Sequence, residues 1–213
     1  MAPRQRVIGK TLVLVAGLIP VTWLAVATWH DALGANPIEK ITHVTGDWAL
    51  RFLLLSLAVT PLRRMVRWNE LITYRRMLGL FAFFYAVLHL CTFVVLDHYF
   101  DWPAIVADVY KRPYVTAGAT SFLCLLPLAM TSTRGWIRRL GRRWTTLHRL
   151  AYVAAVAAVF HYWWLVKADV RQPLWYAAAL AVLLAVRAVY RAVASRPLQR
   201  LGATLPSIGD GAS

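Results

Sequence analysis

Charge is scarce in this sequence, and acidic charge scarcest. Of 213 residues only 15% are Asp, Glu, Lys or Arg, 9 of them acidic against 24 basic, while 60% are hydrophobic. So little charge does not cover a soluble domain of this length, and the composition is that of a polytopic membrane protein. Cysteine is nearly absent too. Cys91 and Cys124 both fall inside apolar runs, which excludes a disulfide scaffold and reads as two small packing residues. No Gly-x-Gly-x-x-Gly fingerprint occurs, so the chain is expected to take its reductant from elsewhere rather than bind a nicotinamide nucleotide itself. No Asp or Glu lies deep in an apolar run, which argues against a proton-coupled transporter.

What is present is a series of six apolar runs. They cover about Thr11 to Trp29, Trp48 to Leu62, Met77 to Leu96, Tyr114 to Met130, Leu147 to Val166, and a sixth from Leu174. The first lacks an Ala-x-Ala-like cleavage site and is read as a retained span. Basic residues gather in alternate connectors: 17 lie at the N-terminus, in the second and fourth connectors and in the C-terminal segment, against 5 in the other three. That is the positive-inside pattern, and it accounts for the basic excess without nucleic acid. Seven of the nine acidic residues fall on the opposite side. The expected fold is therefore all-α, a six-helix transmembrane bundle with both termini cytoplasmic. Residues 1–10 form the cytoplasmic N-terminus, 11–195 the membrane domain and 196–213 a disordered cytoplasmic tail rich in Pro and Gly. The tryptophans at run ends, among them Trp144, Trp163 and Trp164, fit an interfacial belt.

Ionisable side chains inside a span are rare and mark function. The third run carries His89, with Arg75 fourteen residues before it, and the fifth carries His148 and His161 thirteen residues apart. At about 1.5 Å per residue these separations are roughly 21 and 20 Å, so the two helices, running in the same direction, carry matched levels. His89 and His161 form the deep pair toward the outer face, suited to hold one haem iron from opposite sides. His148 is level with Arg75 near the cytoplasmic face. It is read as a possible second ligand, a packing residue or a partner of haem propionates. Arg75, Arg76 and Arg149 beside it are candidates for propionates or a flavin phosphate, or simply for lipid headgroups. Thirteen residues leave about 140° between the two histidines of a straight helix. Either the fifth helix is distorted, or its histidines serve different sides. His30, His43 and His98 are expected to be solvated.

The segments Thr45-Gly46-Asp47-Trp48, Val59-Thr60-Pro61-Leu62-Arg63, Arg75-Arg76-Met77-Leu78-Gly79-Leu80 with His89, and Trp144-Thr145-Thr146-Leu147-His148-Arg149 with His161-Tyr162 resemble the MsrQ family. That family is the haem-binding membrane subunit of a bacterial periplasmic methionine-sulfoxide reductase system. More widely, the chain resembles the ferric-reductase-like transmembrane domain, in which the third and fifth helices each carry two histidines. Here Arg75 stands where the first histidine of the third helix would be. The resemblance implies a b-type cytochrome of the bacterial inner membrane, holding haem b and FMN. Electrons would come from a cytoplasmic flavin reductase or quinol and pass to a periplasmic molybdenum-cofactor enzyme that repairs oxidised methionines. The competing readings are a quinol-linked cytochrome serving another acceptor and a non-redox transporter or membrane scaffold.

Overall fold

The computed structural model describes residues 3–166 and 169–203, and every regular element among them is a helix. In chain order these are α1 (Pro3–Trp29), α2 (Pro37–Met65), α3 (Ile72–Cys91), α4 (Trp102–Lys111), α5 (Pro113–Met130), α6 (Arg134–Leu140), α7 (Arg142–Leu147), α8 (Leu150–Leu165) and α9 (Arg171–Ala203). Four helical segments are long and apolar enough to cross a membrane: Arg4–Trp29, Asn69–Asp97, Pro113–Met130 and Arg171–Val193. α2 carries Arg51, Arg63 and Arg64 along its apolar stretch, and α8 has only 16 residues. Large apolar side chains face outward along these helices, such as Leu12 and Ile19 on α1 and Val182 and Val189 on α9. A lipid solvent accommodates that pattern and water does not.

Two boundaries depart from the pattern of apolar runs. α2 starts well before Trp48, because Asn36 caps it by accepting from the Glu39 backbone N–H at 3.3 Å, with Pro37 in its first turn. Much of the first polar connector is thus helix. The fifth run is not one helix. It breaks at His148 and Arg149, so that α7 and α8 meet at a turn, and the straight-helix angle between His148 and His161 does not apply. Upstream, Gly141 has φ +50° between α6 and α7, a conformation that a side chain would strain. α9 continues to Ala203, so the first part of the segment read as a tail is helical; residues 204–213 lie outside the described residues.

Two helix pairs dominate the packing, α2 on α3 and α5 on α8. α1 leans on α2 and α3, and α9 on α2 and α8. One core joins them, from Leu50, Phe52, Leu53 and Leu57 of α2 through Phe81 and Tyr85 of α3 to Leu125, Ala154, Ala155 and Leu180. Small residues make the close approach possible, with Ala154 and Ala155 fully buried and the Ala154 carbonyl accepting from Ser121 Oγ at 2.9 Å. Gly79 likewise faces Ser56 of α2. Tyr85, 0% exposed, locks α1 in place. Its hydroxyl donates to the Gly17 carbonyl at 2.8 Å and accepts from the Val21 N–H at 3.1 Å, so it sits between the two partners of one helical rung, next to Pro20.

Candidate functional site

The two dominant helix pairs repeat one local arrangement. In the first pair, His89 in the last turn of α3 sets Nδ1 3.0 Å from the Thr42 carbonyl of α2. One turn further along α2 is Gly46, where an added Cβ would lie 3.1 Å from the His89 ring. In the second pair, His161 of α8 sets Nδ1 2.6 Å from the Tyr114 carbonyl of α5. One turn on is Gly118, where a Cβ would lie 2.9 Å from the His161 ring. Each imidazole therefore lies on a glycine and bonds to the carbonyl four residues before it. α3 continues past His89 as a π-helix over Thr92–Asp97, and the Thr92 hydroxyl donates to the His89 carbonyl at 2.7 Å. Such an over-wide turn is an uncommon feature often found at functional sites.

The chemistry follows from the bonding. A carbonyl only accepts, so Nδ1 of each ring must carry the proton, and Nε2 holds the lone pair. This is the way proteins prepare an imidazole as a metal ligand: one ring nitrogen is tied down and the other is left free. The two rings lie 6.0 Å apart between centroids, with planes at 80°. Two imidazoles on one metal ion, at about 2 Å per metal–nitrogen bond, have centres roughly 6 Å apart. Among the described residues no group of three or more His, Cys, Asp and Glu side chains converges. The donor set on offer is thus two imidazole nitrogens with the remaining coordination left to the ligand, a set that suits an iron porphyrin and falls short of a structural zinc site.

The structure brings together only some of the residues singled out in the sequence. His89 and His161 meet. His148 does not join them. It sits at the break between α7 and α8, where the ring of Trp144 packs on it at 3.9 Å, with Nε2 3.3 Å from Thr131 Oγ1. The Thr131 hydroxyl donates to the Pro127 carbonyl at 2.6 Å, so it accepts from His148, whose Nε2 is a donor here. Arg75 is half-buried and close enough to both His148 and Arg187 to act on them electrostatically. Arg76 and Arg149 are exposed.

His98 departs from the expectation of a solvated side chain. It is paired with Asp108 at 3.2 Å and lies against Phe93, ring centroids 4.3 Å apart with the planes inclined at 51°. Trp144 departs as well, since it is no simple belt residue: besides stacking on His148, its indole N–H donates to the Thr131 carbonyl at 3.0 Å.

Gly46, Gly118, Thr42 and Tyr114 escaped the sequence reading. Two glycines on the helices preceding two histidine helices were visible, but their partners are set by helix register, which periodicity alone does not give. Carbonyl acceptors carry no side-chain signature at all.

Residues 45–159 match the family described as ferric reductase like transmembrane component. The chain is 52% identical to the protein-methionine-sulfoxide reductase heme-binding subunit MsrQ of Herminiimonas arsenicoxydans, over 87% of each chain. It is 49% identical to the MsrQ of Xanthomonas oryzae over 92% of this chain and 93% of that one, and 52% identical to that of Rhodospirillum rubrum over 85% and 88%. No solved structure matches the chain. With about half of the aligned residues identical to these proteins over nearly their whole length, and with the ferric reductase like family matched over residues 45–159, the chain belongs to the MsrQ family of ferric-reductase-like membrane proteins.

Proposed function

We propose that the chain is the haem-bearing electron-transfer subunit of a protein-methionine-sulfoxide reductase system in the bacterial inner membrane. The observation that carries this reading is the pair His89 and His161, 6.0 Å apart, each with Nδ1 committed to a carbonyl of the neighbouring helix. In this reading His89 and His161 would hold haem b through Nε2. When bound, the haem supplies one-electron redox chemistry that no side chain here provides. The protein's part is placement. The Thr42 and Tyr114 carbonyls hold the tautomer and ring orientation, and hydrogen bonding of this kind raises ligand basicity. Gly46 and Gly118 clear the space in which the rings lie, and the apolar core excludes water.

The same reading takes all six long helices as spans with both termini in the cytoplasm, α2 and α8 crossing with support from their neighbours. The exposed basic segment of Arg138, Arg139, Arg142 and Arg143 then faces the cytoplasm, where it favours an acidic flavin reductase as donor, with quinol as the membrane-borne alternative. The deep histidine pair lies toward the periplasm, and the acidic outer connectors with Asp97, Asp101 and Asp108 offer a landing surface to a molybdenum-cofactor methionine-sulfoxide reductase. FMN, with Arg75, Arg76 and Arg149 as phosphate or propionate partners, completes the proposal at the cytoplasmic level, where His148 keeps Nε2 engaged by Thr131 beside Arg75.

The test is the pyridine-haemochrome absorbance of the detergent-purified protein, quantified per chain. About one haem b per chain, lost in His89→Ala and in His161→Ala, is the expected result. Full haem in both variants overturns the assignment, and no haem in the wild type from precursor-fed cells points to a transporter or scaffold.

A further inference from the structure

Four buried side-chain nitrogen and oxygen atoms have no hydrogen-bond partner among the described residues, two of them at the end of α2 and two on Arg187 of α9. They are Thr60 Oγ1, Arg63 Nε, and Arg187 Nε and Nη1. Buried polar groups are ordinarily satisfied, so two donors left over on the one Arg187 guanidinium ask for an acceptor that the chain does not supply.

Arg187 is drawn there by Pro61. Proline has no N–H, so the Leu57 carbonyl four residues earlier has no helical donor, and Arg187 Nη2 donates to it. The guanidinium also lies over the Tyr152 ring, 4.9 Å from its centroid. These contacts hold the side chain but leave its charge unbalanced. The ionised neighbours acting on it are all cations, Arg75, Arg191 and Arg64. Arg64 is itself placed against α9 by the Tyr190 ring at 5.3 Å. Arg75 is tied to the same level of α2, its carbonyl accepting from Ser56 Oγ at 3.2 Å. No carboxylate pairs with Arg63, Arg64, Arg75 or Arg187 among the described residues. Arg187 lies inside an apolar segment of spanning length, where an uncompensated charge is expensive.

We propose that Arg187, with Arg64, Arg75 and Arg191 around it, is a receptor for a phosphate group. A phosphate matches the guanidinium fork, offers acceptor oxygens to the two unpaired Arg187 donors, and balances more than one cation. Two sources carry that chemistry: the headgroup of a phospholipid in the adjoining leaflet, and a soluble phosphomonoester. The site is distinct from the histidine pair. Leu57 is eleven residues from Gly46, roughly 16 Å along α2, so the inference does not depend on what His89 and His161 bind.

The experiment uses the full-length protein, wild type and Arg187→Gln, in two arms with haem content read in each sample. Native mass spectrometry of protein purified from bilayers containing phosphatidylglycerol reads retained phospholipid. Calorimetric titration with inorganic phosphate in phosphatidylcholine nanodiscs reads the soluble source. The expected result is one retained phosphatidylglycerol per chain or saturable phosphate binding, weakened tenfold or more in Arg187→Gln with haem content unchanged. Arg187→Lys, which keeps the charge without the fork, is expected to fall between. The arm that responds identifies the source. Arg64→Gln, whose residue does not hold the Leu57 carbonyl, should weaken the same arm severalfold and gives the answer if Arg187→Gln does not fold. Wild type that takes up neither probe, or variants that bind like wild type, would reduce Arg187 to a cap on the Leu57 carbonyl and overturn the proposal.

Discussion

The two ends of the helix bundle hold the same kinds of side chain in opposite states. At the level of Gly46 and Gly118, two imidazoles are fully positioned, each with one nitrogen bonded and the other free. At the level of Leu57, the arginines are held by a carbonyl and by ring faces, yet retain buried donors without partners, and the nearby His148 has Nε2 engaged by Thr131. A prepared lone pair suits a metal, whereas unspent N–H groups and positive charge suit an anion. Helices α2 and α3, with α5 and α8 beside them at one end and α9 at the other, thus present two free ring nitrogens at one level and unbalanced positive charge at the other.

The strongest way to break this comparison is to delete an imidazole. His89→Ala or His161→Ala should remove nearly all haem from the purified protein, and haem content within a factor of two of wild type in both would dissolve the contrast. Next comes the cradle. Gly118→Val, which drives side-chain atoms into a space where even Cβ is 2.9 Å from the His161 ring, should lower haem retention roughly tenfold to a hundredfold, the range for loss of a group that orients a metal ligand. Gly46→Ala, at 3.1 Å, should shift the haem spectrum or midpoint potential with a smaller loss. His148→Ala sharpens the comparison from the other side: haem bound by the deep pair should survive, and a halved haemochrome signal would instead make His148 a ligand. Tyr85→Phe removes the hydroxyl between Gly17 and Val21. It should cost about 1–3 kcal/mol, read as a melting temperature lower by several degrees with haem per chain unchanged. Smallest of all, Arg149→Gln on the exposed turn should leave stability within about 0.5 kcal/mol while lowering the FMN retained per chain, and unchanged FMN would take that arginine out of the site.

Much of the site was legible because depth along a helix is set by residue count. The separations Arg75 to His89 and His148 to His161 placed His89 level with His161, and the structure brings those two rings together. Azimuth was not legible. The 140° conflict on the fifth helix was real for a straight helix, and it vanishes because the chain breaks at His148 and Arg149, in a stretch with neither Gly nor Pro to announce the turn. The position of Trp144 against His148 depends on that same break. Arg187 was visible only as one more basic residue near the chain end, since its burial depends on Pro61 of another helix.

Sequence by itself determined the membrane class, the number of apolar runs, the scarcity of acidic partners and the family, because these follow from composition, run length and residue identity. Tertiary structure alone decided which ring nitrogen is free, which glycines lie under the imidazoles and which arginines are left unpaired. Those depend on helix register and on carbonyls freed or captured across helix pairs, and a backbone carbonyl has no letter in the sequence.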